Sequence, residues 1–95
     1  PANVSTAGLE NVKKWAMLRS LEYRLLSAGV RKAEEAGSSD LLSQLRTEAV
    51  NAKMDALLLF DAISNNEEGE HQATLRGVVA DLLMEMRAID QKAKE

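Results

Sequence analysis

The chain has 95 residues, 45% apolar and 28% charged, with a net charge of −3. That is one domain's worth of folded-protein composition, able to bury a core of modest margin. It contains no cysteine and only three aromatics, Trp15, Tyr23 and Phe60; disulfides, thiolate metal sites, cysteine nucleophiles and a base-stacking platform are thereby excluded.

The N-terminus, Pro-Ala-Asn-Val, has neither the basic head nor the apolar run of a signal peptide. The longest apolar run, Ala56-Leu57-Leu58-Leu59-Phe60, is far short of the roughly 20 residues that span a bilayer. A cytoplasmic protein with no membrane partner is expected.

Ser5 or Thr6 caps a first helix over residues 6–36. Its seam is Leu9, Val12, Ala16, Arg19, Tyr23, Leu26, Val30 and Ala33, with Arg19 the single polar intruder. Such an intruder either sets register against a partner or packs its stem and extends its head to water. A second stripe, Leu18, Leu21, Leu25 and Ala28, lies well round the helix from the first. Gly29 interrupts the pattern, as local tolerance, as a point of close helix approach, or as an early helix end.

Gly37-Ser38-Ser39-Asp40 reads as a stop and a restart, with Gly37 just past one helix and Ser38 or Ser39 capping the next. The second helix covers residues 39–64. Its seam, Leu42, Leu45, Ala49, Ala52, Ala56, Leu59 and Ile63, alternates threes and fours without a miss. Alanine at its middle admits close approach. Val50, Met54, Leu57 and Leu58 lie off the seam.

The most polar window, Ser64 to Gln72, follows. Asn65 with Glu68 three residues on forms a capping-box-like pair, opening a third helix over residues 66–93. Its seam is Leu75, Val79, Leu82, Met86, Ile89 and Ala93, widened by Val78 and Leu83. Gly77 sits inside it.

Short connections make sequential helices antiparallel neighbours. The expected fold is all-α, one domain over residues 1–95: an elongated up-down-up three-helix bundle with coiled-coil-like packing. The alternative is a two-helix hairpin in which the second and third helices fuse through Asn65, Asn66 and Gly69, about 80 Å long by helix rise.

The apolar stripes exceed what one bundle needs, and leaving several leucines in water forgoes roughly 1.5–3 kcal/mol each. The expected interaction surface is Trp15, Leu18, Leu21, Leu25, Val50, Met54, Leu57, Leu58 and Phe60. It would serve a non-enzymatic module that self-associates, as a dimer or higher, or binds another helical protein in an assembly, chaperone-like or adaptor role.

Charge runs down the chain. Residues 1–38 hold six basic and four acidic groups, residues 39–64 two and four, and residues 65–95 four and seven. Lys13, Lys14, Arg24, Arg31 and Lys32 make a basic face on the first helix. It would attract an acidic helix. The alternative function is a nucleic-acid-binding regulator using that face, although the helices are long for a helix-turn-helix.

No cofactor is expected. A serine nucleophile at Ser64 with His71 as base would lack a pocket and an oxyanion hole. Glu68 and His71 do form Glu-x-x-His, and this short window resembles the metal-binding element of ferritin-like bundles. That resemblance implies a third function, an oligomeric metal-binding protein. Against it, the acidic residues Glu67, Glu68 and Glu70 also suit a helix start, and Glu22 and Asp55, the nearest interior candidates for partner ligands, fall in no Glu-x-x-His motif.

Overall fold

The computed structural model describes residues 6–65 and 71–95. Three helices form: α1, Thr6–Ala36; α2, Ser39–Ser64; and α3, Gln72–Ala93. Each packs on both of the others, in a body of 49 × 22 × 20 Å. At about 1.5 Å per residue, the length of α1 sets the long dimension.

The break between α1 and α2 is a Schellman motif. Gly37 adopts φ 69°, the left-handed region in which a side chain is penalised. Its N–H donates to the Glu34 carbonyl at 3.2 Å, and the Ser38 N–H donates to the Ala33 carbonyl at 3.0 Å. Ser38 then occupies the N-cap of α2 in extended conformation, without a side-chain capping bond.

The chain turns again after α2, so the long fused helix does not form. Asn65 ends α2 instead of starting α3, its N–H donating to the Asp61 and Ile63 carbonyls. Helix α3 begins at Gln72, later than the sequence pattern places it, with His71 at the N-cap position. Asn suits either helix end, so its presence alone did not say which. Asn66, Glu67, Glu68, Gly69 and Glu70 lie outside the described residues. Across the turn, the Gln72 side-chain amide donates to the Ile63 carbonyl at 2.8 Å, tying the start of α3 to the end of α2.

The heptad seams face inward. Ala16, Tyr23, Ala52, Ala56, Leu82 and Met86 form the central cluster, with Trp15, Ala49, Val78, Leu83 and Ile89 packed against it. Only Ala93, at the end of its helix, escapes burial among the seam residues. Arg19 is half-buried; a terminal guanidinium nitrogen pairs with Glu22 on its own helix at 2.9 Å, while its Nε is buried without a hydrogen-bond partner.

The two helical glycines do different work. A Cβ built on Gly29 would come 3.2 Å from Cδ1 of Leu45, so Gly29 marks close approach of α1 and α2. A Cβ on Gly77 meets nothing. Gly77→Ala is therefore expected to stabilise the fold by about 0.5–1 kcal/mol, through the helix propensity recovered at an exposed site. Urea unfolding measures this directly; a lower midpoint would mean that this position is crowded.

Candidate interaction surface

The bundle is lopsided in what each helix buries. Helix α3 turns Leu75, Val79, Leu82 and Met86 inward. Helix α2 does the reverse. Its buried residues are Ala52 and Ala56, while Leu41, Val50, Met54, Leu57 and Leu58 are exposed. Helix α1 buries its long seam and exposes Met17, Leu18, Leu21 and Leu25, the last at 74%. On α3 the exposed large apolar residue is Met84 alone, among the described residues.

The cause is local. Alanine at Ala52 and Ala56 lets α2 lie close to its neighbours, and the α2 positions rotated away from that contact carry the large side chains. Leu42, Leu45, Leu59 and Ile63 also face inward, half-buried, but the fully buried positions of α2 are small while several large side chains stay outside, the reverse of the usual distribution.

Most of the surface expected from sequence is thus exposed: Leu18, Leu21, Leu25, Val50, Met54, Leu57 and Leu58. Trp15 and Phe60 are both half-buried, and Trp15 packs on the central cluster. Met17, Leu41 and Met84 are additions that the stripes did not single out. Met17 sits one position before Leu18 and Leu41 one before Leu42, about 100° round the helix from each stripe.

Lys13, Lys14, Arg24, Arg31 and Lys32 are all exposed. Lys13 pairs with Glu10 on its own helix at 3.4 Å. Lys13, Arg24, Met17 and Leu21 line one side of an open groove whose other side carries Asp81 and Glu85 of α3. The basic face is therefore met by acid from within the chain along part of its length. Beneath that groove the Ser20 hydroxyl donates to the Glu85 carboxylate.

One polar cluster joins all three helices and was not anticipated. The Tyr23 hydroxyl of α1 donates to Asp90 of α3 at 2.7 Å. The Lys53 ammonium of α2 donates to the other Asp90 oxygen and sits 5.7 Å from the Tyr23 ring centroid. A polar-tipped aromatic at a seam position was the available signal, because a buried tyrosine hydroxyl needs a partner.

Burial, followed by the bond to Asp90, pushes the Tyr23 hydroxyl up from its ordinary value. The bond to Asp90 likewise raises the Lys53 ammonium, against the opposing effect of burial. Burial alone would raise the Asp90 carboxyl, but the bonds from Lys53 and Tyr23 outweigh it and hold it low. The arrangement borders an open groove that Val30, Arg31, Glu34, Arg46 and Ala49 also line, and it clamps the three helices together.

The signs of these shifts set a pH window. Asp90, lowered in the fold, contributes stability above its ordinary 3.8, and this is lost as pH falls through the lower folded value. Tyr23 and Lys53, raised in the fold, contribute below their ordinary 10.0 and 10.5, and this is lost as pH rises through the higher folded values. Asp90→Asn should weaken both limbs of the stability profile. Urea unfolding at acid, neutral and alkaline pH tests this; an acid limb as steep as in the wild type would remove Asp90 from the explanation.

Of the metal candidates, Glu68 lies outside the described residues and His71 is half-buried at the N-cap of α3. Among the described residues no group of three or more histidine, aspartate or glutamate side chains is gathered as a metal would require. No helix among them is long and apolar enough to cross a membrane. Compared with protein-family models, with curated proteins and with solved structures, the chain matches none.

Proposed function

We propose that this protein is a non-enzymatic interaction module that works by self-association through the outward faces of α1 and α2. One observation carries the reading: α2 buries alanines and exposes Leu41, Val50, Met54, Leu57 and Leu58. Four further large apolar residues on α1 are likewise exposed. Contiguous apolar surface of this kind marks an interaction site, and a helical surface is what complements a helical stripe.

The leucines of these two faces keep between about two-fifths and three-quarters of their surface open to solvent. Burying one such side chain fully is worth roughly 1.5–3 kcal/mol, and the combined gain from several of them opposes the cost of association.

Sedimentation velocity from low to high micromolar concentration tests the proposal. The apparent mass should rise with concentration while binding of a hydrophobic dye per chain falls. A monomer throughout that binds no dye would sink it. A monomer that binds dye strongly would redirect the same surface to a different helical protein.

A further inference from the structure

On the self-association reading above, we infer which faces meet and in what register: α1 of one copy lies antiparallel on α2 of the next. Helix α1 exposes a row, Lys14, Leu18, Leu21, Leu25, Ala28 and Lys32, in steps of four and three. Helix α2 exposes a second row, Ser43, Thr47, Val50, Met54, Leu57 and Asp61, in the mirrored steps. Every one of these residues is exposed, so both rows are open to a second copy.

Two heptad rows pair when their steps coincide. Laid antiparallel, these coincide at every position. Lys14 meets Asp61, Leu18 meets Leu57, Leu21 meets Met54, Leu25 meets Val50, Ala28 meets Thr47, and Lys32 meets Ser43. The centre of the contact is apolar and its ends are polar, as a buried seam with a solvated rim requires.

The charges choose the same pairing. Within the chain Lys13 pairs with Glu10, Arg19 with Glu22, Arg46 with Glu34, and Lys53 with Asp90. Among the described residues this leaves α1 with Lys14, Arg24, Arg31 and Lys32 against a lone Glu35. It leaves α2 with Asp40, Glu48, Asp55 and Asp61 and no cation. Packing α1 on α1, or α2 on α2, would bring like charges together, whereas α1 on α2 brings opposites.

The register also limits the assembly. Inside one chain Gly29 of α1 lies against Leu45 of α2, within about one residue's rise, 1.5 Å, of the register between copies. Successive copies are then related by rotation about an axis along the bundle with almost no translation. Such a contact closes into a dimer or ring and does not run on as a fibre.

The absence of cysteine makes the test clean. Leu21→Cys and Met54→Cys would be purified separately, mixed, and oxidised mildly. The expected product is a disulfide-linked dimer containing one chain of each kind, in several-fold excess over either homodimer. Efficient linking of Leu21→Cys to itself would overturn the pairing in favour of α1 on α1. No linking, in samples that sediment as oligomers, would overturn the pairing and leave self-association standing. Failure of the wild type to associate at all would overturn both.

A charge swap supplies the second arm. Lys14→Asp alone and Asp61→Lys alone should each weaken association about two- to fivefold at low salt, the range of an exposed ion pair. The double variant should recover most of the loss. Single effects that simply add in the double variant would overturn the contact between these two positions.

Discussion

Met86→Ala is expected to lower the free energy of unfolding by about 2–5 kcal/mol. Met86 has no exposed surface, and its cluster includes Ala16, Ala52 and Ala56. Alanine has no rotamers with which to fill a neighbouring void, so the cavity stays open and the cost falls in the upper part of that range. Against a total stability of about 5–15 kcal/mol for a domain, this is a severe loss. Denaturant unfolding reads it from the shift in midpoint at constant slope. A loss below about 1 kcal/mol would contradict close packing at this site.

Leu21→Glu combined with Leu25→Glu should do the opposite: spare the fold and break the assembly. Both leucines are more than half exposed, and glutamate is a good helix former, so unfolding of the monomer should change by no more than about 0.5 kcal/mol per site. About half of each leucine remains to be covered on association, and two carboxylates would face the acidic α2 of the next copy. Together these should cost about 2–3 kcal/mol, or roughly 30- to 150-fold in the dissociation constant. Sedimentation equilibrium and urea unfolding on the same preparation separate the two effects. A variant that fails to fold would show that the stripe belongs to the bundle, and one that associates normally would show that the stripe is idle.

The two variants locate a division within the apolar residues that hydropathy alone does not express. Met86 and Leu21 are both large, apolar and helical. What separates them is the seam to which each belongs. The long uninterrupted rows of threes and fours, from Leu9 to Ala33 and from Leu42 to Ile63, go inside, because only an unbroken row can follow a neighbouring helix along its length. The shorter rows through Leu18 and Val50 remain outside. That much was legible in the order of residues, as was the stop at Gly37, where a backbone favouring glycine coincides with serines fit to restart a helix.

The start of α3 was less legible. Asn65 and the glutamates after it satisfy the rules for a helix beginning, yet Asn65 closes α2. Short polar side chains serve either helix end, and their choice depends on where the following helix must lie to bury Leu75 and Val79. The clamp of Tyr23, Lys53 and Asp90 was hidden for a related reason. Its members come from three helices, far apart in sequence, and their meeting depends on how far each helix slides along the others.

The sequence by itself determined that this chain is helical, that a helix ends at Gly37, and which rows of side chains are buried, because these follow from periodicity and from the backbone freedom of single residues. The tertiary structure decided where the last turn falls, that Gly29 admits Leu45, that Asp90 is shared by two partners, and that α2 fully buries alanines while Leu41, Leu57 and Leu58 stay outward. Each of these is a relation between helices, set by the depth and register at which they pack, and no local pattern along one helix encodes the position of another.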